Sequence, residues 1–381
     1  MAVVLGTRPE ALKMAPVIRE LEGRPASFES IIIATSQHRE MLAQALAAFQ
    51  IEPDVDLGLT HTNRTLAQFT SQALLALTDA LRLAAPDFLL VQGDTSTVVA
   101  AALAAFYSGI PIGHVEAGLR SGDLRRPFPE EANRRMASAV TDLHVAPTER
   151  ARQNLLGEQV LDRDVIVTGN TIVDALHLLA RSTGFHDPTL RALDWERHRT
   201  ILVTAHRRET LAAGLHDICR SLKTLVQRHR DLRVIFPVHL NPKVREVVVP
   251  ELGRTEGIVL LDPLDYGDVI EVIHRSELIL TDSGGLQEEG PSLRKPVVIL
   301  RDVTERPEVV ESGFGVLVGT DPDAIVATVS RLLVDEAARQ RMTAGTNPFG
   351  DGRAAARIVD ALERWFAARD GVPATAQAVS Q

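Results

Sequence analysis

The chain has 381 residues, a formal net charge of −9, 45% hydrophobic residues and 24% charged ones. That length exceeds one ordinary core and predicts two domains. The acidic balance argues against nucleic acid as a partner and leaves no basic patch for a membrane surface.

The single cysteine, Cys219, falls inside an apolar helical pattern. One cysteine excludes an intrachain disulfide framework and a multi-cysteine zinc site, and it fits a reducing cytoplasm. No apolar run reaches membrane-spanning length and no signal peptide precedes the first strand, so a cytoplasmic location is expected.

Ala2–Leu5 reads as a short strand running into Gly6-Thr7-Arg8-Pro9-Glu10. Pro9 suits a helix start, and that helix runs to about Leu21. A strand over Phe28–Thr35 and a helix over Arg39–Phe49 follow, then a long amphipathic helix over Leu66–Leu83. Phe88–Val91 is a strand, Asp94–Tyr107 an alanine-rich helix and Pro111–Val115 a strand. Residues 117–130, with two glycines and two prolines, form an irregular functional loop. Leu143–Val145 and Val165–Val167 close the first half.

The second half repeats the alternation. Thr200–Thr204 is a strand, Gly214–His229 a helix and Leu232–Pro237 a strand. Gly257–Leu261, Leu278–Thr281 and Pro296–Leu300 are further strands with helices between them. Such alternation predicts an α/β protein with two parallel, doubly wound sheets. The expected boundaries are 1–169 for the first domain and 170–351 for the second. A C-terminal helix over 352–368 is expected to pack back on the first, followed by a disordered tail over 369–381.

In doubly wound folds ligands bind beyond the carboxyl ends of the strands. There this chain places GTRPE with Lys13 one turn on, QGDTST, EAGLRSGD and FPEEANR. In the second half the matching places hold AHRRE, PVHLNP, TDSGGLQEEG and RDVTERPE. TDSGG is the most telling of these. Ser283, Gly284 and Gly285 put small residues and open backbone N–H groups at a helix start, where the dipole favours a phosphate. Glu288 and Glu289 lie a turn further in, placed to accept hydrogen bonds from sugar hydroxyls. Each feature also has a structural explanation. Asp94 reads as a helix N-cap, Glu116 as the partner of a nearby arginine, and Glu130 and Glu131 as a solvated helix start. Convergence of so many ionisable groups on strand ends favours an active site instead.

The ordered set GTRPEALKMAP, SQHREML, QGDTST, HVEAGLRSGD, FPEEANR, TGNTIVDAL, TAHRRE, PVHLNP, LTDSGGLQEE, RDVTERPE and NPFGDG resembles the non-hydrolysing UDP-N-acetylglucosamine 2-epimerases. The likeness runs from residue 1 to about residue 366. It implies two Rossmann-like domains facing a central cleft, glycosyltransferase-B-like, in a homodimer. The implied reaction inverts C2 of UDP-GlcNAc to give UDP-ManNAc and needs no nicotinamide, other cofactor or metal. It also implies a place in cell-surface polysaccharide synthesis.

Carried over residue by residue, the resemblance makes Asp94, Glu116 and Glu130 the acid/base carboxylates, without saying which removes the proton and which returns it. It gives His206 the leaving-diphosphate side and makes Arg8 and Lys13 cations of the first-domain turn. Ser283, Gly284 and Gly285 would hold the diphosphate and Glu289 the ribose. Gln37, His38, Arg207 and His239 match a second, allosteric UDP-GlcNAc site found in some members. Gln92 stands where the family often has histidine, and is expected to support its loop. Two alternatives stay open: a hydrolysing relative that releases ManNAc and UDP, and a UDP-sugar-binding or glycosyl-transferring protein of the same fold.

Overall fold

The structure is a computed structural model. It describes residues 1–60, 64–179, 184–207, 210, 211 and 213–370. The chain divides into two compact units, Met1–Ala175 with the chain from Gly352, and Leu176–Asp351.

The first unit is built on seven strands: β1 (Ala2–Leu5), β2 (Ile31–Ala34), β3 (Val55–Asp56), β4 (Leu89–Gln92), β5 (Ile112–Val115), β6 (Leu143–Ala146) and β7 (Val165–Val167). Their order is β3-β2-β1-β4-β5-β6-β7, and every neighbouring pair is parallel. β1, β4, β5 and β6 are buried at every position, as strands covered on both faces must be.

Helices supply the cover. Helix Leu66–Ala84 starts with a reciprocal Thr65–Gln68 cap and buries Phe69, Ala73, Leu77 and Leu81, one residue per turn. It packs on the alanine-rich helix Ser96–Tyr107, whose short side chains allow close approach. The C-terminal helix Ala354–Asp370 packs on helix Arg8–Glu22. The Asp174 carboxylate accepts from its Ala354 and Ala355 N–H groups at 3.1 and 2.9 Å, satisfying two amides that the helix leaves open.

The second unit has six strands: β8 (Arg199–Thr204), β9 (Leu232–Pro237), β10 (Ile258–Leu261), β11 (Ser276–Thr281), β12 (Val297–Ile299) and β13 (Gly315–Leu317). Their order is β10-β9-β8-β11-β12-β13, again all parallel. The core joins Val203, Phe236 and Leu280 of the sheet to Leu222, Val248 and Leu332 of the flanking helices. The α/β class and both doubly wound parallel sheets agree with the sequence.

Several boundaries move for visible reasons. The strand expected from Phe28 begins at Ile31, because the Ser27 and Phe28 N–H groups donate to the Arg24 carbonyl in a turn. Asp94 does not cap the alanine-rich helix; Thr95 does, its hydroxyl accepting from Val98 N–H. Arg369, expected in a disordered tail, belongs to the C-terminal helix, where its guanidinium lies 3.8 Å over the Trp365 ring. The rest of that expected tail, 371–381, lies outside the described residues. β13 and helix Pro322–Val334 carry no expectation from the sequence. Among the described residues no helix is long and apolar enough to cross a membrane.

Both sheets have a point where the strand order reverses: between β1 and β4 in the first, and between β8 and β11 in the second. At such a point adjacent loops leave in opposite directions and open a crevice. The loops after β1 and β4 carry GTRPE and Gly93-Asp94; those after β8 and β11 carry Ala205-His206-Arg207 and Asp282–Gly285.

Candidate active site

In the first unit the turn after β1 is tight by necessity. A Cβ on Gly6 would lie 2.3 Å from Thr97 Oγ1 and 2.7 Å from Thr35 Oγ1, so only glycine fits. Glu10 turns back into this loop and accepts from the Gly6 and Thr7 N–H groups and from the Thr95 hydroxyl. Burial pushes its carboxyl up to about 7, although those three hydrogen bonds favour the ionised form. Arg8 is half-buried and makes no ion pair among the described residues. Gln37 accepts from Thr97 Oγ1 at 3.0 Å, and His38 is exposed at the start of helix Arg39–Ala48.

Lys13 is buried, and its ammonium pairs with the Glu116 carboxylate. Gln92 Nε2 donates to the same Glu116 oxygen at 2.9 Å. Glu116 thus pairs with a lysine. It adopts a left-handed φ of 65°, a conformation that costs a non-glycine residue and persists where its surroundings hold it. The β4–β5 register pairs Gln92 with Val115, so Asp94 and Glu116 extend from neighbouring strand ends.

Asp94 is held from the helix Glu130–Ser138. Arg134 pairs with its carboxylate at 2.6 Å, and Asn133 Nδ2 donates to its backbone carbonyl at 2.8 Å. Arg134 also contacts Glu131 at 3.1 Å, and Arg135 does so at 3.3 Å. Glu131 is fully buried, not solvated, and accepts from Ser121 N–H as well. Glu130 opens the same helix, half-buried, and its Oε2 is buried with no hydrogen-bond partner in the described structure. A buried carboxylate oxygen left open in this way can take up a substrate proton.

Behind this group, His114 of β5 donates through Nε2 to the Gly93 carbonyl at 2.7 Å, which steadies the turn before Asp94. It pairs in register with His144 of β6. Burial pushes the two imidazoles down to about 4 and about 3. Both stay neutral in the folded chain while the unfolded chain takes up protons near pH 6.5. Stability therefore falls as pH drops through 6.5 toward 4, by up to about 1.4 kcal/mol per pH unit for each histidine. Glu10 acts in the opposite sense between pH 7 and 4.5, because its folded form protonates first. The His144→Gln variant should show a shallower loss of urea resistance between pH 6.5 and 4.5 than the parent chain. Equal slopes would remove His144 from this account.

In the second unit helix Gly284–Ser292 follows β11 directly, with Ser283 as its N-cap. The Ser283 side chain makes no capping hydrogen bond. A Cβ on Gly284 would come within 3.0 Å of the Arg306 guanidinium. A cation thus stands over the open amides of a helix start, an arrangement suited to an anion. Glu288 Oε1 accepts from Arg306 Nε at 2.9 Å. Glu305 pairs with Arg306 at 2.9 Å as well. Glu289 Oε1 accepts from the Tyr266 hydroxyl at 3.1 Å and lies beside Gly285.

Asp282, fully buried, accepts from the His206 and Arg207 N–H groups and from Thr210 Oγ1, each at 2.8 Å. His206 Nδ1 lies 3.3 Å from its other oxygen, and the His239 ring stacks on His206 at 5.0 Å and 10°. Arg208 and Glu209 of the expected AHRRE motif lie outside the described residues.

Sequence reasoning gave no role to Glu10, Arg134, Tyr266, Asp282 or Arg306. Glu10, Arg134, Asp282 and Arg306 lie inside motifs it had singled out, which was the available signal; Tyr266 lies outside all of them. His186, Asp265 and Asp268 also lie near one another, but they serve as caps. Asp268 accepts from the His186 and Asp187 N–H groups, and Asp265 accepts from Asp268 N–H.

Comparison with known proteins follows this geometry. The family model described as UDP-N-acetylglucosamine 2-epimerase matches residues 19–363. The chain is 48% identical over 367 residues to a UDP-N-acetylglucosamine 2-epimerase of Yersinia pestis, covering 94% of this chain and 97% of that one. A Neisseria meningitidis UDP-GlcNAc 2-epimerase, solved bound to UDP-GlcNAc, superposes with a TM-score of 0.89 at 41% identity, covering 95% and 99% of the two chains. A Methanocaldococcus jannaschii UDP-GlcNAc 2-epimerase, solved with UDP-GlcNAc and UDP, gives a TM-score of 0.80 at 34% identity, with the same coverage.

Proposed function

Because this chain belongs to the UDP-N-acetylglucosamine 2-epimerase family, we propose that it interconverts UDP-GlcNAc and UDP-ManNAc by elimination and re-addition of UDP, without hydrolysis. C2 of the sugar has no neighbouring carbonyl, so its proton is poorly acidic. Elimination avoids a free carbanion. A carboxylate takes the C2 proton, the C–H pair forms the C1–C2 double bond, and the C1–O bond breaks with its electrons passing to UDP. The products are UDP and a 2-acetamidoglucal. In the return step UDP adds to C1 and a proton reaches the opposite face of C2.

Proton transfer on two faces needs at least two carboxylates, and the first unit offers Asp94, Glu116 and Glu130 at its strand ends. Charge grows on the leaving diphosphate, and the second unit offers the Ser283–Gly285 amides, Arg306 and His206 to meet it. Glu289, oriented by Tyr266, takes the ribose hydroxyls. Lys13 pairs with Glu116, so part of its work is to hold that carboxylate in place. The buried Lys13–Glu116–Gln92 cluster beside Asp94 is the observation that carries this reading, since a pure nucleotide-sugar binder has no need of it. A homodimer fits the apolar side chains exposed on neighbouring helices of the first unit, Leu75 and Leu83 on one and Phe106 and Tyr107 on the other.

Proton NMR of the protein with UDP-GlcNAc in D2O tests the reaction. A UDP-ManNAc anomeric signal, with deuterium entering C2 of both sugars, is the expected result. Free ManNAc and UDP accumulating instead would identify a hydrolysing enzyme. An unchanged spectrum with UDP-GlcNAc demonstrably bound would leave only the binding or transferase readings.

A further inference from the structure

We infer that Asp282 is a positioning residue for His206, fixing its imidazole with the proton on Nδ1 and favouring the imidazolium that meets the leaving diphosphate. This rests on the epimerase reading for its purpose, but not for its geometry.

Asp282 follows β11 directly, at the point where the second sheet reverses its strand order. Its two oxygens do different things. Oδ2 gathers the His206 and Arg207 N–H groups and the Thr210 hydroxyl, each at 2.8 Å, and so shapes the loop that carries the histidine. Oδ1 is buried with no hydrogen-bond donor among the described residues, yet His206 Nδ1 lies 3.3 Å away. A buried carboxylate oxygen with no other donor draws the imidazole proton to the nitrogen that faces it. Contacts of this kind are often long before substrate binds and tighten in the complex.

The stacked neighbour supports the same assignment. His239 Nδ1 accepts from Asn241 N–H at 3.1 Å, which leaves that nitrogen without a proton. A ring held in this way and lying flat on His206 tolerates a positive charge there, whereas a second imidazolium would oppose it. Asp282 and His239 face the imidazole from their own segments, and Arg207 follows it in the chain. The adjacent residue, Ser283, begins the helix whose amides are the proposed diphosphate seat. Anion seat and imidazole are thus set by consecutive residues.

The test is imidazole NMR of the full chain, with and without UDP, together with the pH dependence of kcat/KM. In the parent protein His206 is expected as the Nδ1–H tautomer when neutral. In Asp282→Asn its titration midpoint should fall by about one pH unit, a tenfold change in proton affinity. kcat should fall more than KM rises, because the amide favours the wrong tautomer. Thr210→Val removes one loop anchor but keeps the carboxylate on the imidazole, and should leave the His206 midpoint in place. Equal midpoints in Asp282→Asn and the parent would overturn the inference and reduce Asp282 to a loop anchor. If Asp282→Asn does not fold, the parent tautomer decides alone, and an Nε2–H form overturns the inference. Failure of the parent to epimerise would sink the functional reading, while the imidazole spectra still decide this one.

Discussion

Glu116→Gln is expected to lower kcat by about 10²- to 10⁴-fold in both directions of the reaction, the usual worth of a positioned acid or base. UDP should bind as before, because the groups proposed to hold it belong to the second unit. The argument rests on where the carboxylate sits. Glu116 is 8% exposed, holds a left-handed backbone conformation and is fixed by Lys13 and Gln92. Glutamine keeps the shape and removes only the proton-accepting charge, so the loss should appear in kcat and in C2 deuterium exchange. Lys13→Met should lower kcat comparably, since it strips a buried carboxylate of its counter-ion. Steady-state kinetics with UDP titration calorimetry decide the matter. A variant whose whole defect is a raised KM, or a weakened UDP affinity, removes Glu116 from proton transfer.

That pairing also marks the limit of what the sequence could reveal. Lys13 and Glu116 are 103 residues apart. Spacing suggested a lysine one turn into a phosphate-friendly helix, a place from which it could reach a diphosphate as easily as a carboxylate. Only the parallel order that sets β1 beside β4, and β4 beside β5, brings the two side chains together. The strands themselves were legible, because sheets covered on both faces leave contiguous apolar runs such as Ala2–Leu5 and Leu278–Leu280. Three-residue β13 has too little pattern to stand out, and its place beside β12 depends on the fold.

Local chemistry resolved some choices and not others. Asp94 and Thr95 both suit an N-cap, and intrinsic preference favours the aspartate. The structure gives the cap to Thr95 and leaves Asp94 to Arg134. Likewise Glu288 and Glu289 looked equivalent beside SGG. Arg306, arriving from a later loop, engages the first and Tyr266 the second. Paired acids are therefore sorted by partners distant in sequence. The motifs cluster at the two strand-order reversals, one of which brings Asp94 near the strand end that carries Glu116, while the other brings His206 and Arg207 beside Asp282 and the helix start at Gly284.

Arg134→Met should produce the largest loss of stability among the site variants, about 3–5 kcal/mol, as expected when one partner of a buried ion pair is removed. Arg134 is 5% exposed and bridges Asp94 at 2.6 Å and Glu131 at 3.1 Å. Without it the fully buried Glu131 keeps Arg135 and the Ser121 N–H, while Asp94 loses the guanidinium on its carboxylate. Activity should fall with stability, because Asp94 then keeps only the Asn133 hydrogen bond to its backbone. Arg134→Lys should recover part of the stability and less of the activity, since an ammonium is a point charge and cannot span two carboxylates as a guanidinium fork does. Removal of the exposed Arg82, which pairs with Asp79 at 3.6 Å on the surface, is the control and should leave the urea midpoint unchanged. Equal midpoints for Arg134→Met and the parent would mean that the bridge contributes nothing to the fold. Asp94 would then owe its place to the backbone of the loop alone.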